Sequence, residues 1–238
     1  MKFEVPLLKG RLVRRYKRFL ADVILSDGNE TTVHCPNTGS MLGCNEPGST
    51  VWLLQVDNPN RKYPLGWELV EVSQSVLVGI NTSRSNSLVA EALENRIISQ
   101  LADFNVVRRE VKIPNTRSRI DFLLSGHQTE PDCYLEVKNV TAALDNGQGF
   151  FPDAVSDRAT RHVEELAHRV EDGQRGALCY CVQRADVEYV TPADEIDPEY
   201  GKALRRAVEV GVEVYALGAT VTPEAVILDK NIPVKLDV

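Results

Sequence analysis

Hydrophobic and polar residues alternate in short runs through the first third of the chain, and the period changes abruptly near residue 88. Arg11 to Lys17, Phe19 to Leu25, Thr31 to Cys35, Val51 to Val56, Trp67 to Val72 and Val76 to Ile80 each read as a strand, and Asp27-Gly28 supplies a hairpin turn. Short strands without a helical period predict a small β-barrel, and an oligonucleotide-binding (OB) barrel suits this size. Leu88, Ala92, Leu93, Ile97 and Leu101 then recur at helical spacing, predicting a helix over about Ser87 to Asp103. Val106 to Ile113 follows as a strand, with a turn at Pro114-Asn115-Thr116 and a hairpin built from Ser118–Leu124 and Cys133–Val140. Beyond it lie a helix from Ser156 to Val170, a strand from Gly176 to Val182, a helix from Pro198 to Val210 and a strand from Val212 to Leu217. This α-β-β-β-α-β-α-β order predicts an α/β (α+β) domain with a mixed sheet flanked by helices. The chain therefore divides into a barrel over residues 1–82 and a second domain over 83–238, joined through the polar loop Asn81–Ser87.

The hairpin carries the candidate chemistry. Centring it on Ser125–Asp132 places Asp121 opposite Glu136, and directly opposed residues share a face with Cβ atoms roughly 4.5–5.5 Å apart. Side chains alternate along a strand, so Lys138 joins Glu136 while Leu135 and Val137 point the other way. Two adjacent carboxylates repel unless a cation or a proton lies between them. Oxygen-only ligation favours Mg²⁺ or Mn²⁺, which keep several waters and take one or two carboxylates. Such an ion activates water at a scissile phosphate, and a neighbouring ammonium orients it. On an exposed hairpin the same three residues would be ordinary solvated charges, and the short pattern alone does not separate the two readings.

Charge changes the picture locally. The net charge of −7 divides into about +1 over residues 1–80 and −8 over the remainder. Lys9, Arg11, Arg14, Arg15, Lys17 and Arg18 fall within ten residues that contain no acid, a candidate phosphate footprint or a protected strand edge. Tyr16, Trp52, Tyr63 and Trp67 are available to stack bases or to fill the barrel. Arg158, Arg161 and His162 stand at i, i+3 and i+4 on one helix face, suited to clamping phosphate. The loop Pro36–Met41 offers small polar residues and backbone N–H groups for an anion, or simply turn chemistry. Five cysteines without a C-x-x-C pair read as reduced, buried thiols, and His34, Cys35 and Cys44 lack a fourth zinc ligand. No apolar run approaches the ~20 residues of a membrane span, and the first residues do not open a signal peptide, so a cytoplasmic location and no membrane partner are expected.

The helix, three-strand meander, helix, strand order, with Asp121 on the second strand and Glu136-Val137-Lys138 on the third, resembles the PD-(D/E)XK nuclease superfamily. That resemblance implies Mg²⁺ or Mn²⁺ held by Asp121 and Glu136, nucleophile assistance by Lys138, and Glu91 of the first helix as a further catalytic and metal residue. Ile120 stands where that motif has proline. Over nearly its whole length the chain also resembles the sugar fermentation stimulation protein A family, through His34–Met41, Tyr134–Val140, Phe151–Ala154 and Asp157–His162. This likeness implies an OB-like barrel joined to a nuclease-like domain, non-specific DNA binding, and a part in regulating maltose utilisation.

Three functions are then expected to compete. The first is a metal-dependent phosphodiesterase acting on DNA, or on RNA. The second is a non-catalytic DNA-binding regulator that retains the nuclease fold. The third is a hydrolase of a small phosphate compound at the same metal site.

Overall fold

The computed structural model describes residues 1–114, 116 and 118–237. Asn115 of the expected Pro114-Asn115-Thr116 turn, and the last residue of the chain, lie outside the described residues.

The barrel is built from β1 (Leu8–Tyr16), β2 (Leu20–Leu25), β3 (Glu30–His34), β4 (Thr50–Gln55) and β5 (Leu65–Glu71). Antiparallel pairing runs β3-β2-β1-β4-β5, and a parallel bridge between His34 and Gly66 joins β3 to β5 and closes the sheet on itself. Closure removes the strand edges that an open five-stranded sheet would expose. The Asp27-Gly28 turn joins β2 to β3 as expected, with Gly28 at φ 85°, a conformation that favours glycine. Val23, Val51, Leu53 and Trp67 fill the interior, and the Trp67 indole N–H donates to the Leu69 carbonyl at 2.9 Å. Trp52 is also buried, so both tryptophans serve packing rather than base stacking. A short β6 (Leu77–Gly79) adds to β5 and leads to the junction.

The second domain begins with α1 (Ser85–Glu94), followed by the meander β7 (Val106–Lys112), β8 (Arg119–Ser125) and β9 (Cys133–Val140). The expected helix to Asp103 stops nine residues early. Arg96 takes φ 56°, and the Ile97 N–H returns to the Ala92 carbonyl, a left-handed C-terminal cap. Leu101 still reaches the core, from a 3₁₀ turn rather than from the helix. β10 (Gln148–Phe151), α2 (Asp157–Glu171), β11 (Arg175–Val182), β12 (Tyr189–Pro192), α3 (Pro198–Glu209), β13 (Glu213–Val221) and β14 (Val226–Ile232) complete the order. Ser156 and Asp197 cap α2 and α3 by accepting from backbone N–H groups three residues on. The main sheet runs β14-β13-β11-β9-β8-β7, with β9, β11 and β13 parallel. The sequence pattern did not predict β10 and β12, a two-stranded parallel pair, or β14.

Helices cover both faces of the mixed sheet. Leu88 and Val89 of α1 share a core with Phe122, Leu135 and Val137, while Val163 of α2 and Leu204 of α3 pack with Leu178 and Tyr180 on the other face. The five cysteine thiols are all buried and unpaired. No helix among the described residues is long and apolar enough to cross a membrane.

A buried ion pair joins the barrel to the second domain. Glu68 of β5 is 3% exposed and accepts from Arg84 Nε at 2.6 Å and Nη2 at 3.1 Å, and from Asn81 Nδ2 at 3.0 Å. Deleting one partner of such a pair strands a buried charge. Arg84→Ala is therefore expected to lower unfolding stability by about 3–5 kcal/mol, whereas the double variant Glu68→Gln with Arg84→Met loses much less. Denaturant unfolding followed by tryptophan fluorescence tests this, and an Arg84→Ala loss below that of the double variant would refute it.

Candidate functional site

The β8–β9 register sets the site. Phe122 lies opposite Leu135 and Leu124 opposite Cys133, so the next position out aligns Asp121 with Glu136, as the hairpin pattern predicts. The strands part there, and the Asp121 carboxylate crosses the gap: Oδ2 accepts from the Val137 N–H at 2.8 Å. Oδ1 accepts from Nδ2 of Asn86, on the second residue of α1, at 2.8 Å.

Glu136 is 3% exposed and Lys138 9%. The Lys138 ammonium donates to Glu136 Oε1 at 2.6 Å, and His162 Nδ1 of α2 makes a short contact to the same oxygen. Arg158 Nε donates to His162 Nε2 at 3.4 Å, so the ring carries its proton on Nδ1 and donates it to the carboxylate. The other oxygen, Glu136 Oε2, is buried with no hydrogen-bond partner. A buried carboxylate oxygen left bare is costly.

The two carboxyls titrate in opposite directions. Burial, reinforced by the charge of Glu136, pushes Asp121 up to about 6. Burial would also raise Glu136, but hydrogen bonds from His162 and Lys138 and the charge of Lys138 outweigh it and hold that carboxyl below its ordinary range. Glu136 is therefore the fixed anion, and Asp121 is strained by its presence.

Two clefts are bordered by Asp121. One of about 290 Å³ is bordered by Asn86, Asp121, Glu136, Lys138, Ser156 and Arg158. The other, about 600 Å³, holds Asp121 between Arg119, Arg158 and Arg161, with Glu110 and Glu165 on its walls. Arg119 and Asn86 were not among the residues singled out in the sequence; Arg119 borders the site from the start of β8 and Asn86 from α1. Oxygen donors from Asp121 and Glu136, one of them uncompensated, fit a hard divalent cation that retains water. Among the described residues no group of three or more His, Cys, Asp or Glu side chains forms a ligand cluster.

Several expected site residues lie elsewhere or do other work. Glu91 is turned away, its carboxylate 2.5 Å from the Met1 ammonium. Five residues at ~100° each separate it from Asn86 by about 140° around the helix, so α1 presents Asn86 and not Glu91 to Asp121. His162 is held against Glu136 rather than free to clamp phosphate, although it borders the larger cleft with Arg158 and Arg161. In the barrel, Arg15 donates to the carbonyls of Arg18, Asn37 and Gly39 at 2.8–2.9 Å. Arg18 bonds the Thr38 carbonyl, Arg11 the Gly48 carbonyl, and Arg14 pairs with Asp22 at 2.8 Å. These arginines anchor loops and strands; Lys17 is exposed, at φ 49° in the β1–β2 turn. The Pro36–Met41 loop has already used N–H groups that an anion would need: Gly39 N–H donates to Asn37 Oδ1 and Met41 N–H to Asp153 Oδ2.

Residues 13–80 match the SfsA N-terminal OB domain, and residues 83–225 match the sugar fermentation stimulation protein RE domain. A sugar fermentation stimulation protein homolog of Alkalilimnicola ehrlichii is 54% identical over 98% of this chain and 99% of that protein. Its counterpart in Thioalkalivibrio sulfidiphilus is 53% identical over 99% and 98%. The solved structure of Pyrococcus furiosus SfsA in complex with Ca²⁺ superimposes with a TM-score of 0.87, at 22% identity, over 99% of this chain and 98% of that one. The chain belongs to the sugar fermentation stimulation protein family.

Proposed function

We propose that the Asp121–Glu136–Lys138 site is a divalent-cation-dependent phosphodiesterase centre acting on DNA. The observation that carries this reading is the bare, buried Glu136 Oε2 beside Asp121, a carboxyl that burial and then the charge of Glu136 push up to about 6. That arrangement is unfavourable as it stands and is relieved by one positive ion. A fold neighbour described in complex with Ca²⁺ supports a cation-binding reading of the fold.

Asp121 and Glu136 would hold Mg²⁺ or Mn²⁺. When bound, the ion supplies Lewis-acid stabilisation at a phosphate oxygen and lowers the pKa of an attached water. Lys138 is locked on Glu136 Oε1 at 2.6 Å, where its remaining protons can orient water or phosphate. His162 of α2 holds the same carboxylate oxygen, a positioning role. Arg119, Arg158 and Arg161 border the larger cleft with exposed side chains, placed to receive the phosphates of a backbone. This moves the principal phosphate footprint from β1 to the mouth of the second domain.

Asp121→Ala is expected to abolish Mn²⁺ binding by calorimetry; unchanged affinity refutes the cation site. Incubation of single- and double-stranded DNA, RNA and cyclic nucleotides with Mg²⁺ or Mn²⁺ should yield cleavage of DNA. Lys138→Ala should lower the rate at least 10²-fold, within the range for loss of a positioned proton-transfer group. Cation-dependent DNA binding without any cleavage would favour the non-catalytic regulator, and cleavage of cyclic nucleotides alone the small-phosphate enzyme.

The raised Asp121 carboxyl has two consequences. Protons compete with the cation, so Mn²⁺ should bind about tenfold more weakly at pH 5 than at pH 7.5. In the metal-free protein Asp121 binds its proton more tightly folded than unfolded, so its ionisation destabilises the fold progressively as pH rises from about 4 to about 6. Asp121→Asn should therefore stabilise the metal-free protein at pH 7.5, by on the order of 1–3 kcal/mol, while removing stabilisation by Mn²⁺. A thermal melt in chelator reads both effects.

Arg119→Ala and Arg161→Ala should each reduce the salt dependence of DNA binding by about one phosphate contact. Arg15→Ala should change stability instead, leaving the slope intact.

A further inference from the structure

A second, smaller cavity of about 180 Å³ lies at the seam between the barrel and the second domain. It shares Thr82, Asn139 and Phe151 with the 290 Å³ cleft that contains Asp121, Glu136 and Lys138, so the two border one another. Its volume is below the roughly 300 Å³ at which drug-sized ligand sites begin, and suits a single planar ring system rather than a base pair.

The chemistry of its wall is specific. Asn37 is 3% exposed; its Oδ1 is occupied by the Gly39 N–H, leaving its Nδ2 without a partner among the described residues in the cavity it borders. Asn139 is held likewise, its Oδ1 accepting from Ser85 Oγ at 2.9 Å and Gln183 Nε2 at 2.7 Å, so its Nδ2 also remains available. Asp153 receives Ser40 Oγ and the Met41 N–H on Oδ2 alone, leaving Oδ1 as an acceptor. Phe151 adds an aromatic wall, itself braced by Tyr180 and Tyr200 with ring centroids at 5.8 and 5.2 Å. Two fixed amide donors, one carboxylate acceptor and a braced aromatic ring are the groups that read the edge and face of a nucleobase.

We propose that this cavity takes one unstacked base of a single DNA strand whose neighbouring phosphate lies at the Asp121–Glu136–Lys138 site, so that the protein selects single-stranded or frayed DNA over intact duplex. The proposal rests on the phosphodiester reading of that site and deepens it. The barrel then contributes to specificity through the Pro36–Met41 loop, not through its basic strand.

The test is fluorescence anisotropy with a labelled thymidine oligomer in Ca²⁺, scanned by placing one abasic residue at each position in turn. The expected result is tighter binding of the strand than of a blunt duplex of equal length, with a loss of about tenfold at one abasic position. Thr38→Trp, at an exposed position on the cavity rim, should flatten the scan by excluding the base while leaving Ca²⁺ affinity by calorimetry unchanged. A flat scan in the parent protein, or equal affinity for strand and duplex, overturns the cavity assignment while the cation site stands if Ca²⁺ binds. Absence of Ca²⁺ binding in both proteins removes the underlying phosphodiester reading instead.

Discussion

The second domain is organised by a carboxylate that it keeps charged and buried. Glu136 lies in a strand whose neighbours Leu135 and Val137 enter the hydrophobic core under α1, while its own side chain meets α2 on the other face with almost no exposure. A lone buried carboxylate would take up a proton. Two contacts on Oε1, from Lys138 of the same strand and His162 of α2, keep it ionised. Breaking the His162 contact would change more than stability, because α2 also carries Arg158 and Arg161 and is tied to β9 through that carboxylate. The cost appears on Asp121, whose carboxyl is raised first by its burial and then by the neighbouring charge of Glu136.

The barrel is fixed against this site by apolar packing, in which Trp52 and Leu69 join the core of Leu88, Phe122 and Leu135, and by polar contacts. Glu68 with Arg84 and Asn81 anchors the junction, and Asp153 holds Ser40 and Met41 across the seam. Gln183, fully buried, links the Asn81 carbonyl to Asn139, the residue following Lys138. Directional bonds of this kind fix orientation as well as separation. The β1 arginines belong to the same arrangement, since Arg15 and Arg18 shape the loop that Asp153 grips.

Local periodicity and turn chemistry made much of this legible from the residues alone. The hairpin register followed from the position of the polar interlude between two apolar runs, and with it the pairing of Asp121 and Glu136. The closed barrel followed from short alternating strands and Asp27-Gly28. What escaped depended on helix phase and on long-range contacts. The apolar spacing from Leu88 to Leu101 continues past the true end of α1 because a 3₁₀ turn returns Leu101 to the same core, and spacing alone cannot detect a left-handed residue at Arg96. Glu91 was attractive as an acid on the right helix, yet its carboxylate meets the chain's own amino terminus. Arg11, Arg15 and Arg18 looked like free cations because they bond carbonyls some twenty to forty residues away, which have no sequence signal.

Net charge was the weakest guide to the site. The second domain carries most of the negative excess, yet Arg119, Arg158 and Arg161 converge at its cleft. Exposed charges more than about 8–10 Å apart are screened from one another at physiological ionic strength. A phosphate at the cleft mouth therefore feels these three guanidiniums far more than the distant acids on α3 or β14. Deeper in, where Asp121 and Glu136 are withdrawn from water, screening fades and the potential turns negative. On the proposed function, that reversal over a short distance would sort a polyanion from its counterion: the rim would hold the backbone, and only a small cation would be drawn to the floor.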